Sequence, residues 1–116
     1  MSQILKGEIY WANLSPTIGS EISKTRPVLI VSNDINNKFA ATVSILPITS
    51  TTAKVYPFEV FLPKVEGNLA NDSKAKANQI RTIDKQRIGS RIGKINKAKL
   101  TEIEDAILIH LGIDRE

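Results

Sequence analysis

The 116-residue sequence has no cysteine, which removes disulfide frameworks, thiolate zinc sites and cysteine nucleophiles from consideration. It has one histidine, His110, so two imidazoles sharing acid and base roles within one chain are excluded. Aromatic residues are scarce: Tyr10, Trp11, Phe39, Tyr56, Phe58 and Phe61 are the whole set. No apolar run approaches the roughly 20 residues needed to cross a bilayer. The first ten residues lack the long apolar core of a signal peptide, so the expected location is cytoplasmic, with no membrane partner. The length suits a single domain over residues 1–116.

Charge is present but unevenly placed. The net charge is +4, yet residues 74–99 hold nine bases against one acid, Asp84, while the rest of the chain holds seven bases and eleven acids. A basic segment inside an otherwise acidic chain suits a polyanion or an acidic protein partner, or else a solvated lysine surface.

Short apolar stretches bounded by turn residues predict mostly strands. Residues 7–13 (GEIYWAN) alternate as a half-buried strand does, which makes Trp11 a core residue. A polar loop follows, and then residues 27–32 (PVLIVS) form a continuous apolar run expected to be buried on both faces. NDINNK reads as a turn. Strands are expected at 41–49, with Pro47 marking an edge or bulge, at 55–62, and as one piece at 73–83. A helical turn at 84–87 and a short extended piece with Ile92 and Ile95 come next. Asn96 is placed to cap a final helix carrying Leu100, Ile103, Ile107, Leu108 and Leu111 on one face, and Gly112 to end it. The expected class is mainly β (α+β): a small curved antiparallel sheet or open barrel capped by a C-terminal helix.

Candidate chemistry gathers where strands meet loops. Arg26 stands between a long polar loop and a buried strand, and Thr49-Ser50-Thr51-Thr52 ends the third strand. Both positions suit a rigid sheet holding side chains under loops. Asn33, Gln79 and Arg81 carry amide and guanidinium groups able to meet base edges or phosphates. Glu21 is the one acid in the first long loop. His110, beside a helix-ending glycine, has a structural reading as a cation near a helix C-terminus.

The stretch GEIYWANLSPTIGSEISKTRPVLIVSND resembles the opening of the MazF/PemK family of toxin endoribonucleases, and ITS at 48–50, DS at 72–73 and QIRTIDKQRI at 79–88 follow in family order. The resemblance implies an SH3-like barrel of the MazF–PemK–CcdB toxin type and a homodimer. It further implies metal-independent, cofactor-free cleavage of single-stranded RNA and neutralisation by an acidic antitoxin. By matching position it puts the catalytic arginine on Arg26 and the catalytic threonine on Thr49. Glu21, Asn33, Ser50 and Gln79 fall where the family lines its RNA groove. Lys76, an arginine in some relatives, and Arg81 join them as RNA contacts. Two departures stand out: Asn78 replaces the acid that many members place before the glutamine, and Lys74-Ala75-Lys76-Ala77 replaces a more apolar strand.

Without a metal, the substrate's own 2′-hydroxyl serves as nucleophile, and the enzyme holds the in-line geometry and stabilises charge on phosphate. Arg26 suits that stabilising role and Thr49 can donate to a phosphate oxygen; Glu21 is the loop carboxylate nearest in sequence for a base. Two other readings compete: a CcdB-like topoisomerase poison, and a non-catalytic nucleic-acid-binding barrel. Neither needs Arg26 and Thr49.

Overall fold

The computed structural model describes residues 3–114. The chain runs β1 (Glu8–Asn13), β2 (Thr25–Ile30), α1 (Asp34–Phe39), β3 (Thr42–Thr49), β4 (Glu59–Leu62), β5 (Ser73–Lys76), β6 (Arg81–Asp84), β7 (Ile88–Lys94) and α2 (Lys97–Leu111). Single 3-10 turns occupy Glu66–Asn68, Ala77–Gln79 and Lys85–Arg87. All pairings among the described strands are antiparallel, in the order β4–β5–β3–β2–β1–β7, with β6 on the remaining part of the β3 edge.

β2 is apolar on both sides because two cores flank it. Leu29 joins Ile9, Leu46, Ile48, Leu62 and Ile103 in one cluster, while Val28 and Ile30 join Tyr10, Leu14, Val43 and Ile45 in the other. Each fully buried aliphatic side chain here contributes about 1.5–3 kcal/mol relative to exposure, so the β2–β3 pair is anchored from both faces.

Two prolines decide where that pair ends. The Val31 N–H donates to the Ser44 carbonyl at 3.0 Å, and backbone groups alternate sides along an antiparallel ladder. Odd-numbered residues of β2 therefore face β3, and the next rung after Leu29–Leu46 would need the N–H of residue 27. Pro27 has none. The pairing stops at Val28–Pro47, and beyond it the two strands part. By the same alternation the absent N–H of Pro47 faces the other edge of β3. There the partner changes from β6, ending at Ile45–Arg81, to β5, starting at Ile48–Ala75. Pro47 thus lies inside a central strand, at a partner switch, rather than on an edge strand.

Other expectations need correction. NDINNK forms α1, because the Asn33 side chain accepts from the Asn36 N–H at 2.8 Å and caps it. The single strand expected at 73–83 is β5, a 3-10 turn and β6, as the chain steps from one half of the β3 edge to the other. The strand expected at 55–62 is confined to β4. α2 keeps its expected ends: Asn96 accepts from the Lys99 N–H, and Gly112 takes the left-handed conformation. Ile103 and Ala106 carry its buried face, whereas Leu111 is exposed.

One ion pair lies in the sheet itself. Lys74 and Glu59 side chains are 8% and 1% exposed, with Nζ 2.9 Å from Oε1, and Lys76 approaches the other carboxylate oxygen at 3.1 Å. Lys74 also donates to the Lys54 carbonyl and Glu59 accepts from the Tyr56 N–H, so the pair pins the loop that follows Thr49. Burial pushes the Glu59 carboxyl up, but the Tyr56 N–H and the two ammonium groups outweigh it and hold the carboxyl below its ordinary value. A depressed carboxylate contributes its full stabilisation above the unfolded-state value of about 4.3 and loses it as pH falls through the lower folded-state value. Glu59→Gln leaves Lys74 buried and unpaired, and should cost about 3–5 kcal/mol in urea unfolding at neutral pH. That difference from the native protein should shrink once acid has protonated Glu59; an equal difference at neutral and strongly acid pH would refute the pairing.

Candidate active site

Where β2 and β3 part, a cavity of about 430 Å³ opens. The β2–β3 register, continued two residues past Val28–Pro47, sets Arg26 opposite Thr49, one on each lip. Ser50 continues the β3 side, and Trp11, Asn71, Ser73 and Arg91 add to the wall. The opposite wall comes from the segment around the Glu66–Asn68 turn, held against β7 by an Asn68 amide bond to the Ile92 carbonyl at 3.0 Å. Gly93 permits that approach: a Cβ there would overlap the Gly67 carbonyl.

Both arginines in the cavity are tethered through Nε. Arg26 Nε donates to the Ser23 carbonyl at 2.9 Å, and Arg91 Nε donates to Glu8 Oε2 at 2.8 Å. Neither uses its terminal nitrogens in a bond among the described residues, so each presents an oriented two-donor fork, the geometry that suits a phosphate. Glu8 is held in turn by the Leu5 N–H and the Tyr10 hydroxyl. Burial first, then Glu8, pushes the Tyr10 phenol up to about 12, keeping it a donor. No carboxylate or imidazole lines the cavity. Among the described residues no three His, Cys, Asp or Glu side chains gather as a metal site.

The loop over residues 14–24 carries Ser23, the tether of Arg26, and it is clasped from below. Gln79 Oε1 accepts from the Ile22 N–H at 2.8 Å, Arg81 donates to the Leu14 carbonyl at 3.3 Å, and Arg87 donates to the Asn13 and Ser15 carbonyls at 3.1 and 2.6 Å. Lys24 adopts a left-handed backbone (φ 71°), a local strain just before β2.

The structure thus brings Arg26, Thr49 and Ser50 into one cavity. Five other candidates lie outside its lining. Glu21 caps the Ile18 N–H within the exposed loop, Asn33 caps α1, Lys76 pairs with Glu59, and Gln79 and Arg81 hold the loop. His110 is exposed in the last turn of α2. Sequence reasoning missed Trp11, Asn71 and Arg91. Trp11 is not core but 43% exposed: it shares a face of β1 with the buried Ile9, but one step further along, opposite Pro27, that face opens into the cavity. The signal available for Arg91 was the basic run of residues 74–99, which does not say which base faces a cleft.

Comparison with known proteins identifies the family of the chain. Residues 5–111 fit the family model described as PemK-like, MazF-like toxin of type II toxin–antitoxin system. The chain is 39% identical to endoribonuclease MazF9 of Mycobacterium tuberculosis over 113 residues, covering 93% of this chain and 96% of that protein. It is similar to crystal structures of MazF from Deinococcus radiodurans (TM-score 0.84, 28% identity, 97% and 100% of the two chains) and of MazE–MazF from the same organism (TM-score 0.77, 27% identity, 97% and 100%). With a family match across nearly its whole length and a cavity built where that family's blocks meet, this chain belongs to the PemK-like, MazF-like toxins of type II toxin–antitoxin systems.

Proposed function

We propose that this chain is an endoribonuclease toxin that cuts single-stranded RNA in the cavity between Arg26 and Thr49, without a metal and without a cofactor. The observation that carries the reading is the Arg26 fork facing Thr49 across a gap that has guanidinium and hydroxyl groups but no carboxylate or imidazole. Such a site orients a phosphodiester and stabilises its developing negative charge. The 2′-hydroxyl gives its proton to solvent as its oxygen attacks the adjacent phosphorus, the bond from phosphorus to the 5′-oxygen breaks, and that oxygen takes a proton from solvent as it leaves. The products are a 2′,3′-cyclic phosphate and a free 5′-hydroxyl. Arg26 stabilises the phosphorane oxygens, Thr49 donates to one of them, and Ser50 holds the neighbouring nucleotide.

RNA leaving the cavity passes the 14–24 loop, where Glu21 and Gln79 meet it; Arg81, Lys76 and Asn33 make outer contacts. Trp11 supplies a stacking surface. An acidic antitoxin occupying the same basic surface blocks access, in keeping with the toxin–antitoxin family and with the MazE–MazF structures of the relative. The working form is a single-domain, cytoplasmic homodimer, for which the exposed Ile109, Leu111 and Ile113 at the end of α2 offer apolar surface. No helix among the described residues is long and apolar enough to cross a membrane.

The test is a ribonuclease assay on purified protein with and without EDTA, alongside Arg26→Ala. Cleavage should survive the chelator, and Arg26→Ala should lower kcat by about 10²–10³ with the fold retained by circular dichroism. Arg26→Lys keeps the charge but not the fork and should remain well below the native rate. A folded Arg26→Ala variant with near-native activity would refute the assignment.

A further inference from the structure

We infer a second RNA-binding site, not for cleavage but for the strand running away from the cut, in a basic cavity reached across the β7 edge. This inference rests on the RNA reading above. The cavity holds about 570 Å³ and is lined by Lys38 on α1, Lys85 in the turn before β7, Arg91 on β7, Tyr10 on β1 and the buried Asn37. Arg91 lines both this cavity and the one containing Arg26 and Thr49, so the two are neighbours that share one residue.

The charge there is of one sign. No carboxylate lines the cavity. The nearest acid on its strands, Glu8, is already engaged by Arg91, the Tyr10 hydroxyl and the Leu5 N–H. Lys38 and Lys85 make no ion pair among the described residues. Beside Lys38, the Phe39 ring is 77% exposed with the Lys38 ammonium 5.4 Å from its centroid. Lys38 and the ring thus set a cation and an exposed aromatic face side by side.

Each cavity therefore has cations for phosphates and an exposed aromatic face for a base: Trp11 in the lining of the first, and Phe39, beside Lys38 but outside the lining, next to the second. Alternating cations and aromatic faces are how single strands are held without reading their sequence. A strand whose scissile phosphate sits between Arg26 and Thr49 passes Arg91 and lays its following phosphates on Lys85 and Lys38.

The experiment compares two RNAs that contain one cut site of the native enzyme: a short one spanning only the cleft, and the same sequence extended on the 5′ or the 3′ side. The native protein should cut one of the two extended forms with a lower KM than the short form. Lys38→Ala/Lys85→Ala should raise KM for that extended RNA several-fold and flatten its salt dependence by about 1.4 in log–log slope, at about 0.7 for each of two single-strand phosphate contacts. KM for the short RNA and kcat for both should stay native, with circular dichroism confirming the fold. Phe39→Ala should act in the same direction on the extended RNA alone. Equal KM for short and extended RNA in the native protein would overturn this site while leaving the cleavage reading intact. So would an equal loss on both RNAs in the double variant. Unchanged RNA cleavage with weakened binding of an acidic peptide would reassign the cavity to a protein partner. If the native protein cuts neither RNA, the nuclease reading falls and this inference with it.

Discussion

Pro27 leaves β2 one backbone donor short at the rung where it would pair with Ile48, and the candidate site depends on that missing group. The strands on either side are locked by burial on both faces, so they do not drift when the ladder stops. They diverge at a defined place, and the residues just beyond the last rung, Arg26 and Thr49, face each other across the gap. A proline also holds the residue before it in an extended conformation, which keeps the Arg26 backbone in the strand while its side chain reaches back to the Ser23 carbonyl. A site placed this way inherits the stiffness of the core.

Charge is managed by tethering. Each cavity arginine spends its Nε on a fixed acceptor, one a backbone carbonyl and the other the buried Glu8, and keeps its fork for a ligand. The carbonyl that holds Arg26 belongs to a loop that is itself held by Gln79, Arg81 and Arg87. On the other lip, the Lys74–Glu59 pair fastens the chain after Thr49 through Lys54 and Tyr56. Preorganised donors of this kind act at the moment of reaction without reorganising, which is where most of their catalytic value lies.

Much of the fold was legible because its signals are local. The unbroken apolar run of β2, the Asn96 and Gly112 caps and the helical spacing of α2 each follow from a few neighbouring residues. What was not legible depends on partners distant in sequence. The step from β5 to β6 exists because β3 changes partner, and Pro47 is tolerated centrally for the same reason. Trp11 looks like core in an alternating strand, and only the neighbouring strands show that its side is open. In the site, Arg26 and Thr49 were readable as a pair only through the family resemblance, since 22 positions separate them; elementary propensities give the strands but not the register. Gln79 and Arg81 were read as substrate contacts from their chemistry, and their hydrogen bonds to the loop could not be seen without the fold.

The central claim is that this cavity borrows its nucleophile from the RNA. The most direct measurement places a single 2′-deoxy nucleotide immediately 5′ of the scissile phosphate in an RNA that the protein cuts. Binding should persist, because one hydroxyl is a small part of the contact surface, and cleavage at that bond should cease. Continued cutting at the substituted position would show that water, not the 2′-hydroxyl, attacks the phosphorus, and would contradict the account.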